Sequence, residues 1–521
     1  MTMIAAFLFL LLSCAGIIPS TNGFIPQIKC SKAHCRISNQ FRPLKMKATK
    51  GLEESSRRIS QSKVSAVSIA TMNELSAELQ SSSFLEDFLV PVVCTACLIT
   101  GNTVGASMLV LPELAAGPGM TITTCLFLTM YIINLISGLA IADIAIQQKE
   151  ESGTEAPSSF KAFAESTLDN PLAPYIISLI CISMNTLVLT FDNLRASQLG
   201  QEIFHIDPQV GSLVWAAMVA AIVGTQSAPN LSKASSVLVL VLFCTFGAIL
   251  LPGLANVADP LSLFTSSLPW GSEGGSLLSA DIFEQVGYAG PVILTSLVWQ
   301  NITPTVVRVL GYDRTKTTSA ILLGTILPVL MYIAWCISVL GGGVDMSSIG
   351  LDGPLLTIFS FVTVSGSCLG TATSMAEEFD TYLIPDKKST IQKGAETVVL
   401  EKQQATQDSK ESLFSPQAVA ATMAVSLALG QFFSDDVTSL LKLAGSFGSP
   451  LLYGAIPVWM AYTQQNQRQQ QTAESASQNS LVPGGYATLA CLGLVSFGYV
   501  GTGIWQGMGQ VVAPLTSTIA I

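Results

Sequence analysis

The sequence predicts an all-α polytopic membrane protein of about eleven spans, and three observations carry that expectation. Half of its 521 residues are hydrophobic and only 11% are charged, with a mean hydropathy of +0.54, a composition that soluble domains of this size do not have. Apolar stretches of about 20 residues, each enough to cross a hydrocarbon core of roughly 30 Å, recur from Phe88 to near Gln506. The stretch from Ile99 to Pro112 carries Gly101, Asn102, Thr103 and Gly105 in its middle. That pattern reads as an interrupted membrane helix, tolerable at depth only where the freed backbone groups face protein, water or a bound solute.

The chain before the spans reads as an address. Residues 1–23 combine the apolar run Ile4 to Leu12 with the small residues Ser20, Asn22 and Gly23, the pattern of a signal peptide. Residues 24–83 open on Phe24, hold seven Lys or Arg and no Asp or Glu as far as Leu52, and continue Ser-rich. That is transit-peptide chemistry. The two together resemble the bipartite presequence of plastid proteins in algae with secondary plastids, which implies a plastid envelope membrane. An endomembrane or plasma-membrane protein with a basic tail is the alternative.

The transmembrane domain is expected over residues 84–507, with 508–521 as a C-terminal tail. Apolar runs and their punctuation place the spans at Phe88–Leu111, Met120–Ile146, Leu172–Phe191, Val210–Gly224, Ser235–Leu254, Val286–Leu310, Thr317–Leu340, Pro354–Met375, Pro416–Phe433, Val437–Tyr462 and Gly485–Gln506. With the N-terminus inside, twelve Lys or Arg fall on the inner side and only Arg195 and Lys442 on the other. This asymmetry supports both the orientation and the odd number of spans. The polar segments 376–415 and 463–484 are linkers too polar to pack and too short to be domains. The net charge of −10 is then a property of loops, and no basic domain exists to bind nucleic acid. Eleven cysteines include the pair Cys94 and Cys97. They sit in an apolar helix with no second pair, which reads as packing rather than redox chemistry or a metal site.

A second interruption lies in the sixth span, where Trp299, Gln300 and Asn301 precede Thr303 and Pro304. The proline removes a backbone donor and disfavours helix in the residue before it. The first and sixth spans would be equivalent if spans one to five and six to ten formed inverted repeats with the eleventh appended. Interrupted segments in matched positions of two halves point to a midplane binding site. Freed amides at a half-helix N-terminus can hold a carboxylate, and freed carbonyls an α-amino group or a cation. Gly101 and Gly105 would let a solute approach the backbone, and leucine at Gly101 is expected to abolish transport by filling the break. Trp299 beside Gln300 and Asn301 suggests a flat apolar wall with amide hydrogen bonds, suited to a zwitterionic amino acid with a large side chain. Taken singly, Gly101 and Gly105 also fit a helix-packing seam, and Pro304 a simple kink.

The run Gly101 to Pro112 resembles the first-helix motif of the hydroxy and aromatic amino acid permease family, the tyrosine- and tryptophan-specific transporters. Trp299 to Pro304 is similar to that family's sixth-helix motif. The resemblance covers roughly Phe84 to Gln506. It implies membership of the amino acid/polyamine/organocation superfamily, a five-plus-five inverted-repeat fold, and proton-coupled uptake by alternating access. It carries substrate contacts over to Gly101, Asn102, Thr103, Val104, Gly105, Trp299, Gln300 and Asn301. Gln300 stands where bacterial members often have His, which leaves the substrate and the coupling residue open.

A charge at the membrane centre costs about 2.5–3.5 kcal/mol on insertion scales, so a span keeps one only for a reason. Glu113, Asp143, Asp192 and Lys442 all fall near expected span ends. Asp192 and Lys442 read more readily than Asp143 as residues reaching the interface. Both histidines, His34 and His205, lie outside the spans, so a proton would ride on Glu113 or Asp143. Ser365, Ser367 and Thr371 of the eighth span are the rival set, as hydroxyl ligands for sodium. No cofactor is implied beyond the coupling ion. The partners are a small amino acid and the bilayer, with no obligate protein partner. An enzyme would need converging His, Cys or acidic groups at depth, and a channel or receptor a repeated pore loop or a soluble domain. The expectation is therefore a secondary transporter rather than an enzyme. A general amino acid, amine or other small-solute carrier is the alternative.

Overall fold

The computed structural model describes residues 85–153, 159–225, 228–265, 280–341, 354–383, 414–433, 437–471 and 481–519. The expected signal peptide and transit segment, residues 1–83, lie outside the described residues, as does most of the 376–415 linker. Every described regular element is helical: no strand occurs among these residues. A π-helical turn at Leu85–Leu89 leads into the first span.

That span is built from α1 (Val90–Thr103), a 3₁₀ turn at Ala106–Val110 and α2 (Leu111–Ala116). The chain then runs through α3 (Met120–Ser152), the short α4 (Phe160–Thr167), α5 (Ala173–Phe204), α6 (Pro208–Thr225), α7 (Ala228–Ala255) and α8 (Pro260–Thr265). The second half repeats the plan. It begins with a broken pair, α9 (Ala280–Ser296) and α10 (Thr303–Val309). There follow α11 (Arg314–Gly341), α12 (Pro354–Leu383), α13 (Pro416–Gly430), α14 (Val437–Leu443), α15 (Ile456–Gln471) and α16 (Gly485–Ile519).

Seven described helices are long and apolar enough to cross a bilayer, and eight if the bent first pair counts as one span. The remaining expected spans coincide with shorter or interrupted helices: α13, the α9–α10 pair, and the α14–α15 segment. This last segment is opened by π turns at Ala444–Gly448 and Leu451–Ala455. Chemistry fixes several helix ends. Ser159 and Ser415 accept from the amides of Ala162 and Ala418, the N-cap bond that satisfies an orphan donor. Gly153 closes α3 in the left-handed conformation at φ 68°, where the absence of a Cβ removes the strain.

Helix pairing follows the proposed symmetry. α5 and α12, the third helices of the two halves, pack on each other at the centre. α5 also packs on α6 and α14, and α12 correspondingly on α13 and α7. α3 meets α10, α11 and α15, while α11 meets α2, α3 and α7. These pairings in one half have their counterparts in the other, the pattern two inverted repeats produce. Large buried side chains, among them Trp335, Tyr332, Phe127 and Phe359, fill the space between helices.

Several helices overrun the sequence-based bounds. α5 continues to Phe204 rather than stopping at Phe191, because Asp192 and Asn193 turn inward and are buried instead of marking the membrane surface. α12 continues to Leu383, α15 to Gln471 and α16 to Ile519, so the polar loops and the C-terminal tail begin as helix.

Candidate functional site

The first span bends by 56° where it is interrupted. Helix persists through Gly101, Asn102 and Thr103, and the break falls at Val104 and Gly105. Val104 still donates to the Thr100 carbonyl at 2.8 Å, but Gly105 is extended, at φ −112° and ψ −172°. The second interruption spans Leu297 to Trp299 and a 3₁₀ turn over Gln300–Ile302. Pro304 then sits in the first turn of α10, where its missing donor costs nothing.

The two interruptions meet. Asn102 Nδ2 donates to Asn301 Oδ1 at 3.0 Å. The Tyr332 hydroxyl of α11 lies 2.8 Å from the Thr103 carbonyl oxygen and 3.0 Å from that of Ser296. One phenol proton is thus shared between a freed carbonyl on the end of each half-helix, groups that would otherwise be buried without a partner.

Beside this junction lies a cavity of about 40 Å³, room for roughly three water molecules. Asn102, Thr103 and Gly105 line it from the first break and Asn301 from the second. Asp192, Ser367 and Thr371 supply further polar groups, and Phe191, Leu441 and Tyr453 apolar surface. Ser367 donates to Asp192 Oδ2 at 2.8 Å. α12 comes this close because Gly370 leaves space for the Asn102 amide, while a Cβ on Gly105 would meet Ser367 Oγ at 3.0 Å.

The other residues read from the sequence stand elsewhere. A Cβ on Gly101 would overlap Val239 Cγ2 of α7, so leucine at Gly101 jams the fifth span before it meets a solute. Val104 is core, 1% exposed. Trp299 is also 1% exposed, but it packs away from the cavity, its ring lying where a Cβ on Gly138 of α3 would go. Gln300 is fully buried and structural: its amide donates to Asn134 Oδ1 at 2.6 Å and its Oε1 accepts from the Trp299 amide at 2.9 Å.

Of the ion-coupling candidates, Glu113 is exposed in the first turn of α2, where an acid complements the helix dipole. Asp143 pairs with Arg314 at 3.0 Å, and Arg314 with Glu150 at 3.2 Å. Ser365 donates to the Phe361 carbonyl of its own helix at 2.6 Å. Ser367 and Thr371 alone of this set reach the cavity. The carboxylate that does so is Asp192. Its sequence signal was an acidic residue directly after an apolar run, which is also how a span ends at the interface. Cys97 is a free, buried thiol, so it shares no disulfide with Cys94. No cluster of three or more His, Cys, Asp or Glu able to hold a metal occurs among the described residues.

Comparison with known proteins adds a family. The model of the tryptophan/tyrosine permease family matches residues 90–349. The "Tyrosine-specific transport system 2" of Haemophilus influenzae is 27% identical over 255 residues, 46% of this chain. The match spans 56% of that relative's length. Among solved structures, that of MhsT in complex with L-phenylalanine aligns with 78% of this chain and 98% of its own, at 15% identity and a TM-score of 0.47.

Proposed function

This chain belongs to the tryptophan/tyrosine permease family, and from that premise we propose that it is a secondary transporter of aromatic amino acids, tyrosine or tryptophan, driven by a proton gradient through alternating access. One observation carries the reading: the interrupted first and sixth spans meet at a polar cavity through the Asn102–Asn301 bond. Freed backbone groups at membrane depth are retained where a solute replaces water around them. A substrate's carboxylate and ammonium would be held there by Asn102, Thr103, Gly105 and Asn301. Its ring would rest on Phe191 and Tyr453, since Trp299 is committed to α3. At about 40 Å³ the present cavity is smaller than such a solute, so binding would require it to widen.

The position of Trp299 also favours a second reading, a carrier of wider range for amino acids, amines or other small solutes, with sodium as the alternative driving ion. The leader's composition supports a plastid membrane as the location. The test is uptake of labelled tyrosine and tryptophan by proteoliposomes of the full chain, with and without a proton gradient and with sodium exchanged for potassium. Gradient-dependent accumulation is expected. Uptake of neither amino acid, with an active reference transporter alongside, overturns the aromatic reading, and dependence on sodium overturns the proton.

A further inference from the structure

Asp192 is the one acidic side chain lining the cavity, and it lies 1% exposed along the middle of α5. Among the described residues, no Lys, Arg or His stands within ion-pair distance of it. The other deeply buried acids are accounted for: Asp143 by Arg314, and Glu378 by the Lys161 amide and the Ser178 hydroxyl. A carboxylate at membrane depth without a basic partner persists when it is protonated or when a cation from solution joins it. Such a group is therefore able to exchange its charge compensation during a cycle.

Its side-chain hydrogen bond faces the break in the first span. Ser367 donates to Asp192 Oδ2 at 2.8 Å, and the same hydroxyl abuts the backbone of Gly105 in the break. The titratable groups around the carboxylate are few. Cys368 of α12 lies within its electrostatic reach, and Tyr453 lines the same cavity from the tenth span. Arg195, one turn along α5, gives its Nη1 to Gln198 Oε1 at 2.8 Å. From the two breaks the facing groups are neutral: the amides of Asn102 and Asn301 and the hydroxyls of Thr103 and Ser296.

We propose that Asp192 carries the driving proton and that Ser367 relays its charge state to the broken first span. The inference rests on the transport reading above. While Asp192 is ionised, it accepts a hydrogen bond from the Ser367 hydroxyl, which keeps its proton. Once Asp192 takes up the driving proton from solution, it donates a hydrogen bond to Ser367 Oγ, and the serine hydroxyl, its own O–H bond intact, turns to donate toward the freed acceptors of the break and a bound carboxylate. Proton and substrate binding would then favour each other.

The experiment compares the full-length wild type with Asp192→Asn, Asp192→Glu and Asp143→Asn in proteoliposomes, using labelled tyrosine and tryptophan. Asp192→Asn is expected to lose gradient-driven accumulation at least tenfold while still exchanging internal for external substrate, a step that needs no proton release. Asp192→Glu should restore part of the accumulation, and Asp143→Asn should keep both activities. Infrared difference spectra between acid and alkaline buffer, which need no substrate, should show a protonated-carboxyl band in the wild type that Asp192→Asn lacks. Full gradient-driven accumulation by Asp192→Asn, or an unchanged carboxyl band, overturns the proposal. A wild type that carries neither amino acid but shows the band overturns the aromatic reading alone.

Discussion

Tyr332 holds both helix interruptions with one hydroxyl, and nothing near it in the sequence announces that role. Its partners lie 229 and 36 residues away, so no local spacing could reveal them. Phenylalanine there keeps the packing and removes the one O–H that the two buried carbonyls share, a loss of about 1–3 kcal/mol. Tyr332→Phe is expected to lower the thermal midpoint of the purified protein in detergent and to weaken substrate uptake. An unchanged midpoint would show that water replaces the phenol. Asn102 and Asn301 were legible because an amide among glycines, or in the turn ahead of a proline, has little reason to sit in a membrane helix otherwise. Trp299 was legible as special but not as to direction. Which way a ring at a break points depends on the neighbour with room for it, here Gly138.

Among elements, the sixth-span break is clamped to α3 by two devices. Gln300 bonds Asn134, and the Trp299 ring fills the groove over Gly138. Breaks are usually pictured as loose, yet one side of this one is anchored and the other is free to line the cavity. Valine at Gly138 would overpack the groove, typically a loss of 1–3 kcal/mol, or roughly that much again if Trp299 cannot find another rotamer. The double variant Gly138→Val with Trp299→Leu should recover part of the loss, because the two sites share one space. Thermal midpoints of the three variants test this, and strictly additive losses would mean the two residues do not touch. Span existence was legible for the seven described helices, eight with the bent first pair, that are long and apolar enough to cross a bilayer, since a run of about 20 apolar residues has few alternatives to a membrane helix. Span ends were less so. Hydropathy treats Asp192 as the start of water, whereas α5 continues to Phe204 because its polar residues face other helices.

At the scale of the whole molecule, residues 1–83 and the membrane domain can be tested separately. If residues 1–83 are a bipartite presequence, a fluorescent protein fused behind them should reach the plastid of an alga with a secondary plastid. Removal of residues 1–23 should leave it in the cytosol. Fluorescence retained in the endomembrane system by the full leader would favour the alternative location. By itself, the sequence determined the membrane class, the two interrupted spans and their matched positions, because these follow from local hydrophobicity and from glycine, proline and amide chemistry within a few residues. Only the tertiary structure decided which of the flagged groups share a cavity. It brought Asp192 to Ser367 and both broken helices to Tyr332, and it sent Trp299, Gln300 and Asp143 to other partners. The physical reason is that a buried polar group must find a partner, and in a helical bundle the partner stands on a different helix at a distance along the chain that no local pattern encodes.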